Sequence, residues 1–231
     1  MRRTSEKTKV LEKRGTSVLA DYKPWIEVAE FGSVGTATII IDWKTGRPVH
    51  LMSQGEAAIW YELRYDPNNI DIREQYPLNK EETMKIADRL GYKHPADPKT
   101  GKLTTMTTDF LVTRSDSSMI AITVKTDFET LLNNSRTKEK FEIEKAYWEQ
   151  RQIPLQFRPK SSVNKQYANN IRFVSVFYNL EDSYIPDDIT ILKHLIARHE
   201  IEENLQVPLN LPVLVQQHME EIYKWKKTHL E

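Results

Sequence analysis

The sequence predicts a mixed α/β fold, in which helices flank one sheet, followed by a small C-terminal helical region. Two runs with alternating hydrophobic and polar residues, 107–113 and 119–125, indicate paired strands. Two stretches with apolar residues at helical spacing, 53–65 and 136–152, indicate helices before and after those strands. Because strands and helices alternate along the chain, a sheet covered by helices is the expected architecture.

The remaining segments extend this plan. Further strands are expected, in chain order, at residues 22–28, 36–43, 48–52, 70–76 and 153–157. Further helices are expected at residues 81–90 and 164–180, and in two segments after Asp187 that the sequence VPLNLP separates. These elements predict three parts: an N-terminal basic arm (1–20), a main α/β domain (21–180) and a helical region (181–231).

Composition and charge narrow the class of protein. The chain has 231 residues, 39% of them hydrophobic, and no apolar run approaches the roughly 20 residues of a membrane span, so no membrane attachment is expected. The lack of cysteine excludes disulfides and thiolate metal sites and agrees with a cytoplasmic location. The zero net charge argues against a uniformly basic nucleic-acid binder. Residues 1–15, with six Lys or Arg and two Glu, can be interpreted as a phosphate-contacting arm or as a solvated tail.

The two strands at 107–125 place charged residues inside apolar runs. The turn sequence RSDSS joins them, and a loop with an odd number of residues, such as 114–118, puts Asp109 opposite Thr123 and diagonal to Lys125. A carboxylate and an ammonium then converge at one end of the ribbon. The pattern is compatible with an ion pair at the rim and with a metal-dependent phosphodiesterase site.

Two glutamates point to the same chemistry. Glu56 and Glu144 each share the apolar stripe of a predicted helix with a tryptophan, and a carboxylate facing a core needs a partner. Together with Asp109 and Lys125 they would suit phosphodiester hydrolysis. Carboxylates bind Mg²⁺, which activates water, and a lysine offsets the charge of the transition state.

Each of these residues also has a purely structural interpretation. Ser53 and Glu56 match the Ser-x-x-Glu capping box of a helix N-terminus. Asp109 and Lys125 can form an ordinary cross-strand ion pair. Glu144 can be an i,i+4 partner within its helix. The residue pattern alone therefore leaves a nuclease as one interpretation among several.

A set of motifs, in this order and at compatible spacings, resembles one protein family: DYKPWIEV, WKTGRPVHLMSQGE, IDIREQYPL, KHP, TTDFLV, VKT and EKFEIEKAYWEQRQIP. The family is TnsA, the endonuclease subunit of heteromeric cut-and-paste transposases that also contain TnsB and TnsC. The resemblance covers about residues 21–178 and extends to the compact TnsA proteins of CRISPR-associated transposons.

The resemblance implies a restriction-endonuclease-like mixed sheet flanked by helices, and a Mg²⁺-dependent nuclease in which Mn²⁺ substitutes. Such a protein cuts the 5′ strands of double-stranded DNA at transposon ends, while the transposase TnsB cuts and joins the 3′ ends. It further implies contact between the region 181–231 and the AAA+ ATPase TnsC. The expected location is the bacterial cytoplasm, at the nucleoid when the complex is active.

Site residues follow from the resemblance, motif by motif. The catalytic residues of the family fall on Glu56, Asp109 and Lys125, and its metal ligands on Glu56, Asp109 and Thr123. In the nuclease superfamily that the resemblance implies, the residue two positions before the catalytic lysine is usually Gln, Glu or Asp, whereas this chain has Thr123 there. A backbone carbonyl is therefore an alternative ligand at this position. Glu144 matches a supporting acidic position on a helix.

Two other functions remain as alternatives. The departure at Thr123 would suit a catalytically weak scaffold that bridges TnsB and TnsC, although the presence of Glu56, Asp109 and Lys125 favours a nuclease. A free-standing restriction or resolvase-type nuclease would cut without partners, whereas the neutral charge and short C-terminal region favour dependence on them.

Overall fold

The structure, a computed structural model, describes residues 4–30, 37–127, 129, 133–180 and 185–230. Residues 1–3 of the predicted arm, Thr36 of a predicted strand, and residues 181–184 and 231 of the predicted helical region lie outside the described residues. By its internal contacts the chain divides into two compact units. One contains Met1–Ala57 and Asp66–Val163, and the other contains Ala58–Tyr65 and Asn164–Glu231.

A mixed sheet is the centre of the first unit. The strands of this unit are β1 (Thr38–Ile41), β2 (Pro48–Leu51), β3 (Asn69–Pro77), β4 (Thr107–Arg114), β5 (Met119–Lys125) and β6 (Leu155–Pro159). The ribbon β1–β2 is antiparallel, and the main sheet has the order β3-β4-β5-β6. Its first two pairings are antiparallel and the third is parallel. The predicted mixed α/β architecture is confirmed.

Helices connect and cover these strands. Those that begin in the first unit are α1 (Glu6–Leu11), α2 (Gln54–Tyr65), α3 (Lys80–Arg89) and α4 (Ser135–Glu149). The second unit contains α5 (Lys165–Ser175), α6 (Asp188–Ala197), α7 (Leu211–Gln217) and α8 (Met219–His229). α4 connects β5 to β6, since two parallel strands need a crossover that returns the chain to the same edge. The side chains of Asn79 and Asn134 cap α3 and α4 by accepting a backbone hydrogen bond.

The core of the first unit forms where α3 and α4 pack on the sheet. Its buried members are Leu78, Ile86, Ala87, Met106, Leu111, Ala121, Ile143, Tyr147 and Trp148. Leu111 and Ala121 are register partners in β4 and β5, and Ile143 and Trp148 belong to α4. Each large apolar side chain buried here contributes about 1.5–3 kcal/mol, so this cluster fixes α4 against the strands.

The N-terminal segment is folded against the first unit from α1 onward. The Lys9 ammonium is buried and donates to the Glu30 carboxylate at 2.8 Å and to the Trp25 carbonyl at 2.7 Å. Arg14 donates to the same carboxylate at 3.2 Å. A charged pair in a buried position needs such partners. The solvated-tail interpretation is therefore wrong for Lys9 and Arg14, because both are buried and bind an acidic group of the protein.

The prediction of a strand at residues 22–28 is wrong. This segment contains a proline, which cannot donate to a sheet ladder. It binds β3 only at separate points: the Tyr22 hydroxyl donates to the Glu74 carbonyl at 2.8 Å, and the Trp25 N–H donates to the Gln75 carbonyl at 3.2 Å. These isolated bonds hold the segment against β3 without extending the sheet.

The second unit is helical. Its fully or largely buried apolar residues include Ile171, Val174, Ile191, Leu192, Leu195, Ile196, Leu214 and Ile222. The sequence predicts one helix after VPLNLP, but the chain forms α7 and α8, which meet at His218. Nε2 of His218 lies 2.6 Å from the Glu203 carboxylate, a contact that holds the junction. The unit extends back to residue 164, whereas the sequence places the start of the helical region at 181. No helix among the described residues is long and apolar enough to cross a membrane.

Candidate active site

The β4–β5 hairpin has the register that the sequence predicts. Thr113 pairs with Met119, so the connection is the odd-numbered loop 114–118. Phe110 pairs with Ile122, and the same register puts Asp109 opposite Thr123. The alternation of the two strands is thus sufficient to bring the hairpin's charged residues to one end of the ribbon.

Asp109 is the centre of the polar cluster at that end. Its Oδ2 accepts hydrogen bonds from the Val124 N–H at 2.6 Å, from the Lys125 ammonium at 3.3 Å and from the Thr123 hydroxyl at 3.4 Å. The side chain of Asp109 is 15% exposed and that of Lys125 is 33% exposed. The cross-strand ion pair is therefore present. It stands at an accessible edge where a ligand can reach both groups.

Glu56 lies at the start of α2, and its capping box is present. Its N–H donates to the Ser53 hydroxyl oxygen at 3.2 Å, while its carboxylate accepts from that hydroxyl and from the Met52 N–H, both at 3.0 Å. The capping interpretation is confirmed. Burial, and secondly the negative charge of Asp109, raise the pKa of Glu56 to about 7. A cap alone does not require a second carboxylate nearby, so capping does not account for the whole environment of Glu56.

Glu144 of α4 is buried and faces the strands. Its carboxylate accepts from the Thr108 hydroxyl at 2.8 Å, and that hydroxyl oxygen accepts from the indole N–H of Trp148 at 2.7 Å. The interpretation of Glu144 as a simple i,i+4 helix partner is wrong, because its hydrogen-bond donor comes from β4. Burial raises the pKa of Glu144 to about 7, against the opposing effect of the Lys125 charge.

The Lys125 ammonium lies among these carboxylates. Burial by itself would lower the pKa of Lys125, but the charges of Asp109 and then Glu144 outweigh it and raise the pKa. The ammonium also donates to the Val124 carbonyl at 3.2 Å. Lys125 is consequently a stable cation, oriented by several groups at once, which suits a role in stabilising negative charge.

A second lysine, Lys160, reaches the same site from the end of β6. Lys125 pairs with Pro159, so Lys160 follows directly after the register partner of Lys125. Its stem lies against Gly55: a Cβ built on that glycine would be 2.6 Å from Cγ of Lys160. Its charge lowers the pKa of Glu56, against the larger effect of burial. Within the part of the chain that the structure describes, no hydrogen bond or ion pair holds the Lys160 ammonium.

The donor set fits a cation that keeps much of its own water. Among the described residues, no three His, Cys, Asp or Glu side chains are grouped closely enough to form a metal cage. Mg²⁺ in nucleic-acid enzymes is commonly held by one or two carboxylates, with water and substrate phosphate completing the shell. Glu56 and Asp109 provide two carboxylates, and the electrostatic repulsion between them would be relieved by a divalent cation.

The raised carboxyl pKa values predict that stability decreases as the pH rises. Glu144 keeps its proton in the folded protein up to about pH 7, whereas the unfolded chain loses it near its ordinary value of 4.5. The free energy of unfolding therefore decreases between these two pH values, by on the order of 3 kcal/mol for a shift of this size. We expect the melting temperature to fall between pH 5 and pH 8, and to fall less in Glu144→Gln. An identical pH dependence in the two proteins would contradict the assignment.

Sequence reasoning did not identify Lys160 or Gln75, although both contact the site. The Gln75 amide lies 3.5 Å from the Glu56 carboxylate. The relevant signal for Lys160 is its position one residue beyond a parallel strand that ends beside β5, which only the strand pairing reveals. Gln75 lies within an otherwise regular strand pattern, so no local signal separates it from its neighbours.

The fold and the cluster together define a class of protein. A mixed sheet crossed by α4, with Asp109 and Lys125 at the ends of adjacent strands and a glutamate at a helix start, is the arrangement of a restriction-endonuclease-like nuclease domain. Residues 66–159 match the family described as TnsA-like endonuclease N terminal. The chain is a TnsA-type protein.

The similarity to one curated protein extends beyond the residues that the family model matches. Over 166 residues the chain is 36% identical to the Transposon Tn7 transposition protein TnsA of Escherichia coli, and the alignment covers 72% of this chain. The same alignment spans 60% of the Tn7 protein. The family range of 66–159 includes Asp109, Thr123, Lys125 and Glu144, while Glu56 precedes it.

Proposed function

We propose that this protein is a Mg²⁺-dependent DNA endonuclease that cuts the 5′ strands at transposon ends during cut-and-paste transposition. The observation that carries this proposal is the convergence of Asp109 and Lys125 at the end of one hairpin, with Nζ and Oδ2 3.3 Å apart. The family match and the similarity to a Tn7 transposition protein support the choice of a nuclease over other phosphodiesterases. Its proposed partners are double-stranded DNA, the transposase TnsB and the ATPase TnsC.

Glu56 and Asp109 are the proposed carboxylate ligands of the metal. Thr123 adds an oxygen next to Asp109, through its hydroxyl or its backbone carbonyl. When bound, Mg²⁺, or Mn²⁺ in its place, would supply Lewis-acid activation of water and neutralise charge on the phosphate. Since only a deprotonated carboxylate binds a metal well, a pKa near 7 at Glu56 makes metal binding favourable towards neutral and alkaline pH.

The other residues of the site act on the charge of the reacting phosphate. The Lys125 ammonium is fixed by Asp109 and the Val124 carbonyl, so it can donate to a phosphate oxygen without losing rotational freedom during the reaction. Glu144 stabilises the charged form of that lysine. The bond from Thr108 holds Glu144 in place. Lys125 thus has a prearranged orientation, with Glu144 in a supporting role.

The test of this function is cleavage resolved by strand. A plasmid that carries the transposon end is incubated with this protein and Mg²⁺, with and without TnsB and TnsC, and the 5′ and 3′ strand breaks are mapped separately. We expect 5′ breaks that require this protein and its partners. Breaks without partners would indicate a free-standing nuclease, and a complex that forms with no 5′ breaks would indicate a scaffold.

Lys160 is the proposed contact for a DNA phosphate next to the reacting one. We expect Lys160→Met, which keeps the aliphatic stem against Gly55, to weaken binding to a short DNA duplex. The slope of log affinity against log salt should decrease by about 0.9, the value for one lost phosphate contact on duplex DNA. Fluorescence anisotropy with Ca²⁺ in place of Mg²⁺ measures this without cleavage.

Lys85→Met is the matched control, because Lys85 is an exposed lysine of α3 in the same unit. Its salt dependence should equal that of the wild type. A Lys160→Met protein with an unchanged slope would show that this ammonium does not contact the duplex.

We propose residues 181–231 as the docking region for TnsC. Its described part exposes apolar side chains, including Ile185 at 81% exposure and Tyr223 at 63%. We expect Ile185→Glu together with Tyr223→Glu to reduce capture of TnsC at least tenfold while the melting temperature stays unchanged. Ile41→Glu, at a residue of β1 with 62% exposure, is the control and should capture TnsC normally. Equal capture by the wild type, the double variant and Ile41→Glu would exclude these two positions as TnsC contacts.

A further inference from the structure

Gln75 has a backbone conformation that its place in the sheet does not explain. It lies inside β3, yet its φ angle is +47°, in the left-handed region that L residues rarely adopt. β3 and β4 pair on both sides of it, through Glu74 with Phe110 and through Tyr76 with Thr108. The distortion therefore occurs at one residue, and the register places that residue opposite Asp109.

The side chain of Gln75 is buried, and both the oxygen and the nitrogen of its amide form hydrogen bonds. Only 4% of the residue is exposed. Its amide oxygen accepts from the Thr107 hydroxyl at 3.3 Å, and its amide nitrogen donates to Oε2 of Glu56 at 3.5 Å. Because an ionised carboxylate only accepts hydrogen bonds, the amide nitrogen is the end that faces the charged form of Glu56.

The backbone of Gln75 is tied down as well, since its carbonyl accepts from the Trp25 N–H at 3.2 Å. The unusual φ angle and this bond hold the residue in a position from which its amide reaches a carboxylate of the site. Strained backbone of this kind is concentrated at functional sites, where the surrounding structure maintains it.

We infer that Gln75 is a positioning residue of the proposed nuclease: its amide holds the Glu56 carboxylate in the orientation in which it binds the metal. This inference rests on the proposed function, in which Glu56 is a metal ligand. Gln75 contacts the ligand and not the substrate. Its loss should weaken metal binding, since removal of a group that orients a metal ligand typically costs about 10–100-fold in metal affinity.

Two substitutions separate positioning from folding. Gln75→Met keeps the length of the side chain and removes the amide. Gln75→Gly also removes the amide. Glycine tolerates the positive φ, while the cavity left at this buried position costs stability, so the two variants differ in stability and share the loss of the amide. A purely structural residue would lose stability and activity together, whereas a positioning residue loses activity in both variants.

The decisive readout is the affinity for Mn²⁺ in the absence of DNA, measured from the electron paramagnetic resonance signal of the free ion. We expect both variants to bind Mn²⁺ about 10–100-fold more weakly than the wild type. Glu56→Gln gives the affinity that remains when the ligand itself is lost. A higher Mg²⁺ concentration should restore part of the cleavage by both variants.

An unchanged Mn²⁺ affinity in both folded variants would overturn the inference. The resonance signal does not depend on cleavage, so it tests Gln75 even if the wild-type protein cuts no DNA. In that case the proposed function fails while the link between Gln75 and Glu56 is still decided. Normal wild-type cleavage combined with an unchanged Mn²⁺ affinity in the variants would contradict the inference alone.

Discussion

Asp109→Ala is expected to abolish 5′-strand cutting at transposon ends and to leave 3′ joining by the partner transposase intact. Asp109 is both a proposed metal ligand and the group that fixes Lys125, Thr123 and the Val124 N–H. Its removal should lower the rate of 5′ cleavage by at least about a hundredfold. Because the 5′ strands stay attached, the products should change from simple insertions to co-integrates. Sequencing of the insertion products measures that change.

Asp116→Ala is the control for this variant. Asp116 lies in the turn of the same hairpin, is exposed, and caps the turn by accepting from the Ser118 N–H at 2.9 Å. It should yield simple insertions at the wild-type frequency. If Asp109→Ala also gives simple insertions at that frequency while its melting temperature is normal, Asp109 is not a catalytic ligand.

Lys125→Ala is expected to have the second-largest effect. Deletion of one preorganised electrostatic group commonly costs about 2–4 kcal/mol of transition-state stabilisation, which corresponds to a rate about 10²–10³-fold lower. Single-turnover cleavage with saturating DNA isolates this term from binding. We expect a lower rate constant even when all the DNA is bound, since Asp109 and Glu56 still provide the carboxylates that would hold the metal.

Lys138→Ala is the control for Lys125→Ala. It removes an exposed lysine from α4 and should leave the rate unchanged. A reduced rate in Lys138→Ala equal to that of Lys125→Ala would show a general effect of charge rather than a specific ammonium.

Thr123→Val tests which oxygen of Thr123 binds the metal. The variant keeps the shape and the backbone carbonyl of Thr123 but removes the hydroxyl. If the carbonyl is the metal ligand, this variant should cut nearly as well as the wild type.

The part of the site that could be predicted depends on local rules. Alternation along two strands and an odd loop of five residues determine which residues face Asp109, and the Ser-x-x-Glu spacing determines how Glu56 meets Ser53. Both rules operate within a short stretch of chain. The mixed sheet was predictable for a similar reason, since each strand carries its own period.

The parts that could not be predicted depend on contacts between distant segments. Residues 22–28 have a strand-like composition, but no strand among the described residues pairs with them along their length. The junction at His218 depends on Glu203, which precedes it by fifteen residues. Lys160 and Gln75 reach Glu56 only because β6 and β3 end where they do. A sequence pattern contains no information about such contacts between distant residues until the strand order is known.

The bond between Trp148 and Thr108 gives the site an optical reporter. The indole N–H donates to a hydroxyl that has one proton, and that proton is directed to Glu144. A change in the charge of Glu144 therefore alters the electric field at a buried chromophore. The difference between the fluorescence of the wild-type protein and that of Trp148→Phe should vary with pH around neutrality, and should respond to Mg²⁺ in the absence of DNA. The fluorescence of Trp148 can therefore follow both the ionisation of Glu144 and the binding of Mg²⁺ without an attached label.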